Sequence, residues 1–181
     1  MSPLPIDLGE GAVLRRYVIE DLEALWASVD AERERLGVWM PWVEPTRTID
    51  DQRVWLERVI ADPVGLDGTG LFVEGEHVGG VGMTVGAFSI AAEIGYWIRA
   101  PYEGRGLITR GARAMTEMAL GEFAVHRVVI RAGVKNMRSR AVPERLGFTF
   151  EGVARGEGKG SGGFYDLAVY AVLKDEWSRG S

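Results

Sequence analysis

The run Glu93-Ile94-Gly95-Tyr96-Trp97-Ile98-Arg99-Ala100-Pro101-Tyr102-Glu103-Gly104-Arg105-Gly106-Leu107-Ile108-Thr109-Arg110 constrains the fold more than any other part of the chain. Its first half is aromatic and β-branched, the composition of a buried strand. Pro101 cannot donate to a ladder and ends the strand, and Gly104 and Gly106 permit a tight turn with close backbone approach. Beyond the turn, Ile108, Ala112, Met115 and Ala119 recur at helical spacing, with Arg110, Arg113 and Glu117 on other faces. The order is therefore strand, glycine loop, helix N-terminus. Unpaired N–H groups and the positive end of the helix dipole meet there, a combination that attracts phosphate. The loop lacks the three glycines of the dinucleotide pattern and the Gly-Lys-Ser/Thr of a P-loop. A phosphorylated cofactor used without magnesium is the expected ligand, and no metal is expected.

A second stretch, Asn136-Met137-Arg138-Ser139-Arg140-Ala141-Val142-Pro143-Glu144-Arg145-Leu146-Gly147-Phe148, narrows the cofactor. Together the two stretches resemble the GNAT superfamily of acyl-CoA-dependent N-acyltransferases. The glycine loop is similar to that superfamily's pyrophosphate motif. Asn136 with Ser139, followed by Glu144-Arg145-Leu146-Gly147-Phe148, is similar to its second cofactor-side helix. Upstream, Trp39-Met40-Pro41-Trp42-Val43 resembles the tryptophan-proline-tryptophan segment of the RimJ/RimL branch, named for acetylating ribosomal-protein N-termini. The resemblance runs over nearly the whole chain in the right order. Three departures stand out: Glu103 where the loop usually has Gln or Arg, Ile108 where Gly or Ala is usual, and Pro143 inside a helix that it should kink.

The resemblance implies a single α/β domain over residues 1–181. Its mixed central sheet, of about six or seven strands, is splayed in the middle with helices on both faces. It implies acetyl-CoA as co-substrate, with cofactor contacts from Ile98, Arg99, Gly104, Arg105, Gly106, Leu107, Ile108, Thr109, Asn136 and Arg138. The backbone N–H groups of Ile108 and Thr109 are the contributors there, so phosphate binding survives the changes in the loop. Arg105 is the foremost phosphate candidate, with Arg110, Arg138 and Arg140 behind it. Trp39, Trp42 and Tyr165 fall on the acceptor side; the two tryptophans suit equally a clamp that packs a loop and a wall of the acceptor pocket.

Acyl transfer from a thioester to an amine needs a neutral amine, a stabilised oxyanion and a proton for the leaving thiolate. A chain without cysteine suits direct attack without a covalent enzyme intermediate. Glu93 opens the cofactor-lining strand and is the candidate general base, since a partly buried carboxylate suits proton abstraction. A surface carboxylate at a strand end is the equal alternative. Asp166 competes with it, although pairing to an arginine or a backbone group explains that residue better. Ser139 is the candidate proton donor to the thiolate, with Tyr96 as its rival. Asn136 suits both a helix N-cap and a hydrogen bond to the pantetheine arm.

The rest of the chain reads simply. Val13–Tyr17 is a strand, and a helix follows from Ile19 to about Gly37. Thr48 caps a helix whose inner face is Val54, Trp55, Val59 and Ile60 and which ends at Pro63. Leu71–Val73 and His77–Val85 form a hairpin, with His77 expected at the surface. His126–Ala132 is a further strand, and Phe148–Val153 pairs with Phe164–Leu173 across a mobile, glycine-rich Gly156–Gly163 at the acceptor mouth. A length of 181 residues, 46% hydrophobic and 26% charged, fits one globular domain. Met1 to Pro5 lacks a signal-peptide pattern, and no run of about 18 apolar residues occurs, so a cytoplasmic address with no membrane partner is expected. Net charge −5 without a basic cluster argues against nucleic acid. Exposed aromatics near Trp39 and Trp42 permit a homodimer without requiring one. The expected partner is an amine acceptor, either a protein N-terminus or a small molecule. A non-catalytic acyl-CoA sensor or interaction subunit is the alternative, and a nucleotide-binding module ranks last.

Overall fold

The computed structural model describes residues 4–62, 66–86 and 90–177. Eight strands form one sheet: β1 (Ile6–Gly9), β2 (Ala12–Arg16), β3 (Thr69–Val73), β4 (Glu76–Val85), β5 (Ala91–Ile98), β6 (Arg127–Gly133), β7 (Thr149–Gly160) and β8 (Gly163–Leu173). Their order is β1-β2-β3-β4-β5-β6-β8-β7. The strand added to the expected six or seven is β1. Gly9, Glu10 and Gly11, all at positive φ, turn it back onto β2, where Ile6 and Leu8 pack against the core.

Every neighbouring pair is antiparallel except β5 and β6, which are parallel because a helix crosses between them. That helix is α4 (Leu107–Gly121), and α5 (Met137–Arg145) lies beside it. Ile108, Ala112, Met115 and Ala119 of α4 are all buried, as their spacing predicts. Gly111 lets the helix come close, since a Cβ there would sit 2.9 Å from the Val81 side chain. Pro143 is accommodated inside α5.

The other face of the sheet carries α1 (Leu22–Ala31), α2 (Arg33–Gly37) and α3 (Ile49–Ala61). The single helix expected from Ile19 to Gly37 is thus broken at Glu32. Thr48 and Asp51 form a capping box at the start of α3, with Asp51 N–H on Thr48 Oγ1 at 3.2 Å and Thr48 N–H on Asp51 Oδ2 at 2.8 Å. Its buried face is Gln52, Leu56 and Val59; of the expected set Val59 is buried and Trp55 packs against the same core, while Val54 and Ile60 face solvent. The expected end at Pro63 lies outside the described residues.

His77 corrects the surface expectation. It is 2% exposed, with Nε2 at 2.8 Å from the Tyr17 hydroxyl and Nδ1 at 2.9 Å from Ser28 Oγ. Ser28 gives its own proton to the Ala24 carbonyl, so the Nδ1–H form of the ring satisfies both contacts. Around it Tyr17, Leu22, Leu25, Val29, Leu56, Val59 and Phe72 form a second core, separate from the large one under α4.

Gly156–Gly163 is also corrected. It is strand on both sides of a two-residue turn at Ser161 and Gly162, with a bulge between Ala154 and Gly158. A Cβ on Gly158 would lie 2.2 Å from the Tyr165 ring, and one on Gly160 would lie 2.0 Å from the Val38 carbonyl oxygen. These glycines serve close packing, not motion.

Candidate active site

The parallel pairing of β5 and β6 runs from Ala91 with Arg127 to Ile94 with Ile130 and stops there. Beyond it β5 continues paired only to β4, and β6 only to β8. The sheet is therefore split at its centre. Arg99 donates its N–H to the Val78 carbonyl at 2.8 Å, on the β4 side. Strand alternation then turns the N–H and C=O of Gly95 and Trp97 toward β4 as well, and those of Tyr96 and Ile98 into the split. Hydrogen-bonding groups of two consecutive even-numbered residues thus face a groove where a strand would otherwise lie.

The groove opens into a cavity of about 780 Å³. Ile98, Gly104, Gly106, Leu107, Ile108, Thr109, Asn136 and Arg138 line it, so the sequence expectation brings these eight together. Gly104 (φ 76°) and Gly106 (φ 72°) take the left-handed conformation that turns the loop into α4. The first intrahelical bond is Arg110 N–H to Gly106 C=O, which leaves the N–H groups of Leu107, Ile108 and Thr109 without a helical partner. Asn136 caps α5, its Oδ1 accepting the Ser139 N–H at 3.2 Å. Tyr96 donates its hydroxyl proton to the Ser139 carbonyl at 2.8 Å, and Ser139 Oγ lies 3.4 Å from the same phenol oxygen. Burial pushes the Tyr96 phenol up, so it keeps its proton.

Two expected cofactor residues stand elsewhere. Arg99 points its guanidinium to Glu76 and to the His77 carbonyl. Arg105 lies over the Tyr102 ring, 5.3 Å from its centroid. Arg140 is likewise structural, bonded to the Tyr170 hydroxyl at 2.8 Å and the Val134 carbonyl at 3.1 Å. Among the described residues the cations lining the cavity are Arg35, Arg110, Arg138 and Arg145 and the carboxylate is Glu103, while Glu32 and Glu10, outside the lining, pair with Arg35 at 2.6 Å and Arg110 at 3.0 Å. Glu103 is held between Arg35, at 2.7 Å, and Arg138, and Arg35 also donates to the Ile98 carbonyl. Sequence reading missed Arg35, because nothing local connects α2 with a loop so far along the chain. The cradle of free N–H groups, the strand-like groove and the excess of guanidinium fit a phosphorylated, amide-bearing cofactor such as coenzyme A.

A second cavity of about 800 Å³ lies on the opposite face of the sheet. Its floor is the row of small residues that β4 and β5 turn to this side: Gly80, Gly82 and Gly95. A Cβ on Gly95 would meet nothing within 4 Å. Tyr17, Trp42, Trp55 and Trp97 wall it, and Trp42 lies 6.2 Å from Trp97 between ring centroids. Glu93 lines this cavity, but its side chain is 50% exposed rather than partly buried, and Arg131 Nε approaches it to 3.6 Å. Trp39 lines the cofactor cavity instead. Its ring rests on Gly133 and meets the Tyr165 ring edge-on at 5.3 Å, while the Tyr165 hydroxyl donates to its carbonyl at 2.5 Å. Tyr165 supports Trp39 and lines neither cavity. Asp166 accepts the Gly156 N–H at 2.8 Å and fixes the β7 bulge, away from both cavities. Met40, Tyr96 and Trp97 line both, so the two spaces meet at the split strand.

A cofactor groove and an acceptor-sized chamber that meet through a split sheet define an acyltransferase frame, and comparison with known proteins agrees. The family profile for the acetyltransferase (GNAT) domain matches residues 12–149. YdaF of Bacillus subtilis (strain 168), provisionally named a ribosomal N-acetyltransferase, is 35% identical over 175 residues, covering 94% of this chain and 95% of its own. A crystal structure described as a probable acetyltransferase is 35% identical with a TM-score of 0.87, covering 96% and 99% of the two chains. RimL, a ribosomal-protein α-N-acetyltransferase solved with coenzyme A, shares the fold at 23% identity and a TM-score of 0.87, over 93% and 97%. The chain belongs to the GNAT family of N-acetyltransferases. Among the described residues no helix is long and apolar enough to cross a membrane.

Proposed function

We propose that this chain moves an acetyl group from acetyl-CoA to a primary amine, a protein N-terminal α-amine or a small-molecule amine, by direct attack within a ternary complex. The meeting of the two cavities at Tyr96 and Trp97 carries this reading, because it lets donor and acceptor approach from opposite faces of one strand. The thioester supplies the activated acyl group. The Leu107, Ile108 and Thr109 N–H groups and the lining arginines bind the phosphates, and the Tyr96 and Ile98 backbone pairs with the amide-bearing arm. An N–H in the split is placed to stabilise the oxyanion. Glu93 takes the amine's proton in the acceptor cavity, directly or through water, and Ser139 returns a proton to the leaving thiolate. The name of the Bacillus subtilis relative supports a ribosomal-protein N-terminus as acceptor. Calorimetric titration of acetyl-CoA, followed by thiol-release assays over peptides and small amines, tests this. Binding with turnover is the expected result, whereas binding without turnover on any amine would reduce the chain to an acyl-CoA sensor.

A further inference from the structure

Among the described residues of the acceptor cavity, Gln52 is the buried side chain with an unpartnered polar atom. It sits on the inner face of α3, in register with Leu56 and Val59, which are 0% and 5% exposed and wholly apolar. Gln52 itself is 4% exposed and lines the cavity beside Tyr17, Trp42 and Trp55. Its Oε1 is buried without a hydrogen-bond partner. A buried amide left unpaired destabilises the protein that carries it, and a leucine at this position would continue the apolar face. The charges of the same cavity stand elsewhere: Glu93 pairs with Arg131, and Asp67 with Arg58. Gln52 is therefore an uncharged donor-acceptor pair set among aromatic walls.

We infer that Gln52 reads a peptide group of the acceptor. A carboxamide presents an acceptor and a donor side by side, which matches the N–H and C=O that one residue of an extended peptide turns to the same side, and matches neither an ammonium nor an alkyl chain. The aromatic rings then hold the flanking side chain, and Glu93 meets the amine. This selects peptide N-termini over simple amines of similar bulk, because an acceptor lacking the peptide group leaves Gln52 unpaired again. The inference rests on the proposed N-acetyl transfer and names the substrate class of the same site.

The experiment compares seryl-trialanine amide with phenethylamine as acceptors for the full chain and its Gln52→Leu variant, at saturating acetyl-CoA. The expected result is a peptide-over-amine preference in kcat/KM that falls about tenfold or more in Gln52→Leu, through KM, with a thermal midpoint no lower than that of the parent. An unchanged preference, or equal losses on both acceptors, would overturn it and leave Gln52 a buried amide with no part in acceptor recognition. Titration of the peptide into coenzyme A-saturated protein separates the two readings. If neither acceptor turns over, the transfer reading fails. Weaker peptide binding by Gln52→Leu still supports the role of Gln52, and equal or absent binding in both proteins refutes it.

Discussion

Glu103 is a carboxylate beside the proposed phosphate cradle, and the structure answers it with two guanidiniums. Arg35 and Arg138 neutralise it and are held by it at the mouth of the groove. Arg35 is shared with Glu32, so the two cations do no more than cancel the carboxylates they face, and Arg110 and Arg145 are the further cations of the cavity; the departure at Glu103 therefore gives no reason to expect lost cofactor binding. Truncating Arg35 removes one of those cations and leaves Glu103 half-compensated beside the ligand. Arg35→Ala is expected to weaken acetyl-CoA by about tenfold, roughly 1.4 kcal/mol, in calorimetric titration. Adding Glu103→Gln to that variant should recover part of the loss, because the uncompensated charge goes with it. His77 yields a prediction of a different kind. Burial, opposed by Asp21 and assisted by Arg99 and Arg15, lowers its pKa from 6.5 to about 4. Between those values the unfolded chain binds the extra proton, so stability rises with pH across this window. The contribution is complete above pH 6.5 and is lost as pH falls through 4; it is on the order of 3 kcal/mol. Urea unfolding of the parent and of His77→Gln should show a shallower pH dependence in the variant over that interval.

At the scale of elements, what the sequence made legible was what local pattern encodes. The Glu93–Arg110 run announced a strand, a turn and a helix because proline, paired glycines and helical spacing each act within a few residues. Asn136 was legible as a cap for the same reason. The α3 face was misread because Val54 and Ile60 are apolar yet exposed, while Gln52 is polar yet buried, and only packing against α1 decides which side turns inward. The burial of His77 was hidden likewise, since its partners Tyr17 and Ser28 come from distant segments. Gly156–Gly163 misled through composition: glycine reads as freedom, but close approach to Tyr165 and Val38 demands it. That difference can be measured. Gly160→Ala places a Cβ against the Val38 backbone and should cost about 1–3 kcal/mol in urea unfolding. Gly162→Ala, at the turn with nothing within 4 Å, should be neutral or slightly stabilising. A mobile loop would tolerate both alike.

The whole molecule is a sheet opened at its middle, with two chambers that meet at one strand. Such a division lets donor and acceptor sites be altered separately. The proposed phosphate cradle is carried by α4, which is anchored on Val81, Ile94 and Ile130 of the large core. The acceptor chamber is bounded by α1, α3 and the tryptophan segment, and it exists because Gly80, Gly82 and Gly95 present no side chains to that face. Gly95 is the position at which this can be tested without disturbing packing, since its added Cβ meets open space and its φ is ordinary. Gly95→Leu should project its side chain into the acceptor chamber beside Glu93 and Trp97. Acetyl-CoA would still reach the groove from the other side. At about 100 times its Kd it should stabilise parent and variant alike, by about 2.7 kcal/mol. Transfer to a peptide should nevertheless fall by about 100-fold or more, because displacing the amine from the reacting carbon by an ångström or two is enough to lose that much. Equal loss of acetyl-CoA binding in Gly95→Leu would mean that the two chambers are one continuous site, and that β5 separates nothing.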